Sequence, residues 1–185
     1  TDTDIFFLLD ESEQKEIRDS VRRDLDIQND AETYITVGRI DRQKDPFLLL
    51  ESFEMIANTR PQSYLLWVGD GVLKRALEER IERRNLREKV KLVGARRPEE
   101  VARFLWASDV FVLSSAYEGM PIALSEAMAC GLPAVCTDVG EVKRLIATKS
   151  NGIICPAGNS KELAEAMTWV MSHSKTLGGE VAAKA

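Results

Sequence analysis

The fold is decided by residues 110–131, which read VFVLSSAYEGMPIALSEAMACG. The first four residues form a continuous apolar run, which is typical of a strand buried on both faces. Pro121 then opens a helical stretch, because proline is favoured at the first position of a helix. Gly131 follows the end of that stretch, as a C-terminal cap does. The segment therefore predicts a strand at 110–113, a polar loop and a helix at 121–130.

The same strand–loop–helix unit recurs on both sides of this segment. Apolar runs predict further strands at 34–37, 64–68, 90–93, 134–137 and 152–155. Helical segments lie between them at about 46–58, 72–84, 98–107, 140–147 and 160–172. Strands that alternate with helices pair in parallel. We therefore expect an α/β fold, a doubly wound, Rossmann-like parallel sheet of six strands in the order 3-2-1-4-5-6.

Length and composition suit one such domain. The chain has 185 residues, of which 44% are apolar, and a net charge of −5. We assign residues 33–173 to the domain, 1–32 to a linker and charged helix ahead of it, and 174–185 to a flexible tail. Within the first segment, residues 12–24 predict a short exposed helix. No apolar run reaches the length of a transmembrane helix, and the acidic net charge gives no case for nucleic acid as a partner.

Histidine and cysteine are scarce. His173 is the only histidine, which excludes a Ser-His-Asp triad or a multi-histidine metal site within this sequence. Cys130, Cys136 and Cys155 lie in or beside apolar segments, so we expect buried free thiols in a reducing compartment. With no signal peptide at the start of the sequence, this predicts a cytoplasmic location. We expect no metal and no other cofactor.

Small and polar residues follow the predicted strands at their carboxyl ends, where open α/β sheets bind ligands. Glycine there lets the backbone approach a phosphate group closely. The positions are Gly38-Arg39, Gly69-Asp70-Gly71, Gly94, Ser114-Ser115, Glu118-Gly119 and Asp138-Val139-Gly140. The dinucleotide fingerprint fails because the second motif lacks a third glycine, and the P-loop pattern is absent. A dehydrogenase of the Rossmann type therefore fits poorly.

Four motifs, in this order, resemble the C-terminal lobe of the GT-B glycosyltransferases known as group 1 or family 4. They are Val37-Gly38-Arg39-Ile40 with Lys44, then Val68-Gly69-Asp70-Gly71, then the block at 118–131, and then Thr137-Asp138-Val139-Gly140 with Asn151-Gly152 and Pro156-Ala157-Gly158. The resemblance covers about residues 33–172. It depends most on the fourteen-residue block, in which Glu118 and Glu126 match the family's E-x7-E signature.

The resemblance implies a role for each matching residue. Arg39 and Lys44 hold the diphosphate of a nucleotide sugar, Glu126 binds the ribose hydroxyls, and Glu118 faces the transferred sugar. The backbone at 94–96 lies along the edge of the nucleobase. The catalytic residues implied are Glu118, Arg39 and Lys44, and the remaining contacts to the nucleotide sugar are expected from Gly38, Gly69, Asp70, Gly71, Gly94, Arg96, Gly119, Met120, Ile122 and Glu126.

From the residues alone, other interpretations stay open. Arg39 and Lys44 also fit solvated surface charges. Glu118 and Glu126 also fit a turn acid and an acid on a helix surface. Eight residues of helix rise about 12 Å, whereas the carboxyls of a retaining glycosidase lie about 5 Å apart. We therefore reject these two glutamates as an acid and nucleophile pair.

The family implies a hexosyltransferase that moves a sugar, with retention, from a UDP- or GDP-linked donor to a glycan or lipid-linked acceptor in polysaccharide biosynthesis. It also implies an N-terminal acceptor lobe or partner subunit, without which we expect this chain to be inactive. The alternative is a non-catalytic regulatory module that binds nucleotide sugars. A sugar-nucleotide epimerase is disfavoured by the sequence EAMACG at 126–131.

One segment is strongly basic. Residues 74–97 hold ten Lys or Arg and four Glu, a net charge of +6 in an acidic chain. Such asymmetry can mark an anionic partner, and it predicts peripheral contact with an anionic membrane surface. The alternative is a solvated helix face with Glu–Arg pairs four residues apart. The membrane interpretation requires that Arg80, Arg83, Arg84 and Arg87 share one exposed face.

Overall fold

The computed structural model describes residues 1–146 and 150–182, with side chains to residue 178. The strands of the described part are β1 Glu32–Val37, β2 Ser63–Val68, β3 Val90–Gly94, β4 Val110–Leu113, β5 Ala134–Thr137 and β6 Gly152–Cys155. Its helices are α1 Glu11–Asp24, α2 Pro46–Thr59, α3 Lys74–Arg83, α4 Pro98–Trp106, α5 Ile122–Ala129, α6 Val142–Leu145, α7 Ser160–Ser172 and α8 Ser174–Ala182.

The six strands form one parallel sheet in the order β3-β2-β1-β4-β5-β6. In the register of the central strands, Tyr34 pairs with Leu65 on one side and with Val110 on the other. The order reverses between β1 and β4, which is the topological switch point of a doubly wound sheet. The predicted fold class and strand order are confirmed.

Helices cover both faces of the sheet because each central strand is apolar on both sides. Tyr34 is fully buried against Phe53 of α2, in a core layer that also contains α3 and α7. The next residue, Ile35, is fully buried on the opposite face, in a layer that contains Leu105 of α4 and Leu124 of α5. Successive side chains of a strand point to opposite faces, so a continuous apolar run supplies both layers.

The start of α2 is fixed at the carboxyl edge of the sheet. Asp45 caps the helix with its carboxylate, which accepts a hydrogen bond from the Leu48 amide at 3.2 Å, and Pro46 follows at the first helical position. The Ser114 hydroxyl, just after β4, donates to the Lys44 carbonyl at 2.7 Å. Lys44 is therefore tied to the end of the neighbouring strand.

The N-terminal segment differs from the prediction of an exposed helix. Helix α1 begins one residue earlier, at Glu11, and the Arg22 side chain is only 1% exposed. Its guanidinium donates to the carbonyls of Ala107 and Ala31 and to the Asp109 carboxylate. Phe6 also lies in the core. A buried cation persists where carbonyls and a carboxylate satisfy its N–H groups, so this segment packs on the domain.

The tail also differs. A flexible segment was expected from residue 174, but helix α8 runs from Ser174 to Ala182. Leu177 is 3% exposed and joins the core layer of α7, and this apolar contact explains the additional helix. Helix α6 is shorter than expected and covers Val142–Leu145, while residue 147 of that prediction lies outside the described residues. The domain boundaries at 33 and 173 stay predictions.

The three cysteines are buried and free, as expected. Burial raises the pKa of the Cys130 thiol to about 12 and that of the Cys155 thiol to about 11. In residues 1–146 and 150–182, no helix has both the length and the apolar character needed to cross a membrane.

Candidate functional site at the carboxyl edge of the sheet

The loops that follow the strands are hydrogen-bonded to one another along the carboxyl edge. The Gly69 amide donates to the Gly94 carbonyl at 2.9 Å, and the Gly38 amide donates to the Val68 carbonyl at 2.9 Å. Further along, the Ala116 amide donates to the Gln43 carbonyl at 2.8 Å. The ends of β3, β2, β1 and β4 therefore form one continuous surface.

Two glycines allow the loops after β1 and β2 to pack backbone against backbone. A Cβ atom at Gly69 would lie 1.9 Å from the Gly38 carbonyl oxygen, and one at Gly71 would lie 2.4 Å from the Ile40 carbonyl oxygen. Real Cβ atoms do not approach that closely. This close approach of two backbones requires glycine at both positions. From the sequence, glycine here had been explained only by the approach of the backbone to a ligand.

Lys44 and Glu118 meet at the centre of this surface. The Lys44 Nζ lies 2.5 Å from Glu118 Oε1, and the Ser115 hydroxyl donates to the same oxygen at 2.6 Å. The side chains of Lys44 and Glu118 are 18% and 6% exposed. The fold thus brings together two of the predicted catalytic residues, which lie 74 positions apart in the sequence.

Gln43 connects this ion pair to Arg39. Its Nε2 donates to Glu118 Oε2 at 3.2 Å, and its Oε1 accepts a hydrogen bond from the Arg39 guanidinium at 3.0 Å. Arg39 also lies 3.2 Å from the Asp41 carboxylate, and its side chain is 71% exposed. Sequence reasoning missed Gln43. Its position just before Lys44, inside the motif that begins at Val37, was the available signal.

Glu126 lies on α5, and Glu118 lies in the loop before that helix, eight residues earlier in the sequence. Its side chain is half-buried, and no group in the described part of the chain donates a hydrogen bond to it. Burial raises the pKa of the Glu126 carboxyl. A half-buried carboxylate without a donor is suited to accept hydrogen bonds from the hydroxyls of a ligand.

Asp70 has protein partners of its own. Its carboxylate accepts a hydrogen bond from Lys74 Nζ at 3.0 Å and one from the Gly71 amide at 2.7 Å. These contacts, with Lys74 the larger cause, lower the pKa of Asp70. Asp70 therefore shapes the loop after β2.

The other predicted contacts are distributed along the same edge. Gly94 has a φ of +78° and ends β3, and the guanidinium of Arg96 lies 3.6 Å from Glu100.

In the loop before α5, the Gly119 carbonyl accepts a hydrogen bond from the Glu141 amide. The side chains of Met120 and Ile122 are both 59% exposed. The edge thus presents polar groups at its centre and apolar side chains beside them.

Some arginines of the basic segment contact α2, and others pair with glutamates of the same segment. Arg80 lies over the ring of Phe47, and Arg84 pairs with Glu54, so both contact α2. Arg80, Arg83 and Arg87 are all exposed, and Arg84 is partly buried. Arg83 and Arg87 lie 3.4 Å and 3.3 Å from Glu79 and Glu82. This arrangement favours the alternative of a paired, solvated helix face. Contact with an anionic membrane surface stays a prediction.

In the described ranges, no group of three His, Cys, Asp or Glu side chains is placed to hold a metal ion. A groove of about 480 Å³ lies between α2 and α7, and its lining includes Met55, Trp169 and His173. None of the predicted site residues lines that groove.

The fold and this edge define a Rossmann-like domain that matches one lobe of the GT-B architecture. The family model for "Glycosyl transferases group 1" matches residues 17–178, so the chain belongs to this family.

Sequence and structure comparisons agree on that placement. The chain is similar to the UDP-Gal:alpha-D-GlcNAc-diphosphoundecaprenol alpha-1,3-galactosyltransferase of Escherichia coli, with 33% identity over 133 residues that cover 70% of this chain and 34% of the relative. The chain spans about a third of the length of the curated relatives it matches.

Two crystal structures share the fold. Anabaena HepE, solved in complex with UDP, has a TM-score of 0.85 at 23% identity and covers 100% of this chain, which corresponds to 50% of HepE. The C-terminal domain of LpcC from Francisella tularensis has a TM-score of 0.83 at 20% identity, with 99% of this chain and 95% of that domain covered.

Proposed function

We propose that this chain binds the nucleotide-sugar donor of a retaining hexosyltransferase. The observation that carries the proposal is the cluster of Lys44, Glu118 and Arg39 at the carboxyl edge of the sheet, where this class of fold binds its ligands. Membership of the family indicates the reaction class. The cluster contains two cations, Lys44 and Arg39, that can face an anionic diphosphate.

Lys44 and Arg39 are proposed to hold the diphosphate. Lysine has three N–H donors, and Lys44 directs one of them at Glu118, so others are available for phosphate oxygens. The Arg39 guanidinium is 71% exposed and can grip phosphate through two donors. As the bond to the sugar breaks, negative charge gathers on the diphosphate. Fixed cations then stabilise the transition state more than the ground state.

Glu118 is proposed to face the transferred sugar, together with the amides of Gly119 and Met120. Both of its oxygens are held by protein donors, so its orientation is set before a ligand arrives. An ionised carboxylate has about four acceptor positions, and the three protein donors leave one for a sugar hydroxyl. Retention at the anomeric carbon is proposed from the family alone.

Glu126 is proposed to accept hydrogen bonds from the ribose hydroxyls, and the backbone at 94–96 to lie along the base. We propose uracil as the nucleobase of the donor. The E. coli relative is named for a UDP-linked donor, and HepE was crystallised with UDP-glucose. A GDP-linked donor is the alternative that a ligand screen would reveal.

The acceptor is proposed to be a glycan or a lipid-linked sugar, because the E. coli relative is named for a diphosphoundecaprenol acceptor. Since the curated relatives are about three times longer than the matched region, we propose that transfer requires an acceptor lobe in addition to these residues. One wall of a cleft neither excludes water nor orients an acceptor.

Replacing Glu126 with alanine should weaken UDP binding about ten- to hundredfold, because hydrogen bonds to a charged group contribute about 1.5–3 kcal/mol. Isothermal titration calorimetry measures the affinity. The melting temperature should change little, since the carboxylate has no hydrogen-bond partner in the described part of the chain.

The matched control is Glu165→Ala, on the exposed face of α7, which makes the same charge change away from the edge of the sheet. It should bind UDP as the parent does. Equal UDP affinity of Glu126→Ala and the parent would refute the ribose role.

A further inference from the structure

The side-chain amide of Gln43 touches both halves of the candidate site. Its carbonyl oxygen accepts a hydrogen bond from Arg39, and its NH₂ group donates to Glu118 Oε2. The backbone of Gln43 is also fixed, because its carbonyl accepts a hydrogen bond from the Ala116 amide at 2.8 Å. The amide is therefore held between the loop after β1 and the loop after β4.

Gln43 controls the one oxygen of Glu118 that has a single protein donor. Oε1 accepts hydrogen bonds from both Lys44 and Ser115, while Oε2 accepts only from Gln43 among the described residues. The terminal torsion of a glutamate is soft and broad. Without Gln43, the carboxylate can pivot about Oε1, and Oε2 no longer has a defined position.

Arg39 depends on the same amide. The guanidinium has two partners in the described part of the chain, Gln43 at 3.0 Å and Asp41 at 3.2 Å, and most of the side chain is exposed. An exposed ion pair alone holds a long side chain weakly. Loss of Gln43 would therefore loosen the phosphate side of the site as well as the sugar side.

We propose that Gln43 is a positioning residue that fixes the positions of Arg39 and Glu118 relative to each other. With both side chains in place, the site discriminates a nucleotide sugar from the nucleoside diphosphate alone. This inference rests on the proposed function, which assigns the phosphate to Arg39 and the sugar to Glu118. A nucleotide sugar must contact both residues at once. A nucleoside diphosphate needs only the phosphate side.

The test is the ratio of two dissociation constants, that of UDP-glucose and that of UDP, measured by calorimetry on the chain and its variants. Gln43→Met keeps the length of the side chain and removes both hydrogen bonds. We expect the ratio to rise about tenfold, as for a lost hydrogen bond to a charged group. A purely structural defect weakens both ligands equally and leaves the ratio unchanged.

A double-mutant cycle shows whether Gln43 acts through Glu118. In the Glu118→Ala background, adding Gln43→Met should no longer change the ratio, because the carboxylate it positions is gone. The matched control is Gln62→Met, at an exposed position in the turn before β2, which should leave the ratio at the parent value.

The outcomes separate this inference from the function on which it rests. If UDP binds and Glu126→Ala weakens it, but Gln43→Met keeps the parent ratio, the positioning role is wrong and the donor site stands. A ratio change that persists undiminished in the Glu118→Ala background also overturns it. If neither UDP nor UDP-glucose binds the parent chain, both proposals fail.

Discussion

Replacing Gly69 with alanine should destabilise the folded chain by about 3 kcal/mol, the upper end of what forcing extra atoms into a packed interior typically costs. The new Cβ would lie 1.9 Å from the Gly38 carbonyl oxygen and 2.8 Å from its carbonyl carbon. Both are backbone atoms of the loop after β1, so no flexible side chain can move aside. The φ of Gly69 is +148°, which adds backbone strain for any other residue.

Urea unfolding followed by circular dichroism measures this loss. Gly119→Ala is the matched control, because a Cβ there meets nothing within 4 Å and the φ of Gly119 is not positive. It should stay within about 1 kcal/mol of the parent. Parent-like unfolding of Gly69→Ala would show that the loops after β1 and β2 do not pack as described.

Replacing Lys44 with methionine should weaken UDP binding about ten- to hundredfold. The variant removes a cation from the proposed phosphate site, and it also leaves the Glu118 carboxylate, 6% exposed, without its counter-charge. The remaining negative charge would repel the incoming diphosphate. Both effects act in the same direction, so the loss should exceed that of removing a cation with no buried partner.

Calorimetry compares Lys44→Met with Lys161→Met, which makes the same charge change on α7, where Lys161 is 80% exposed. The control should bind UDP as the parent does. If Lys44→Met also binds UDP like the parent, the phosphate is not held at this edge.

Most of the sheet could be predicted from the sequence because its determinants are local. Each strand is a short apolar run. Pro46 and Pro98 stand at the first positions of α2 and α4 as predicted, whereas Pro121 is the N-cap residue of α5, one position before the helix begins. The strand order follows from the handedness of parallel connections and from the family resemblance. These features are determined by residues close together in the sequence, so a single sequence is enough to predict them.

Other features depend on contacts between distant residues. Arg22 looks like a solvated helix cation, yet its guanidinium is buried by carbonyls and by Asp109, 87 positions away. Leu177 lies in the segment predicted to be a flexible tail, yet it is buried in the core layer of α7. In the candidate site, the motifs indicated Lys44 and Glu118, but Gln43 is a neutral side chain whose importance appears only when both of its partners are in place.

The central claim is that a nucleoside diphosphate binds at the carboxyl edge of the sheet, and a crystal structure of the chain grown with UDP tests it most directly. The account predicts phosphate oxygens within hydrogen-bonding distance of Lys44 Nζ and the Arg39 guanidinium, with the ribose at Glu126. UDP bound elsewhere, such as the groove between α2 and α7, with the edge empty and Lys44 paired only with Glu118, would contradict it.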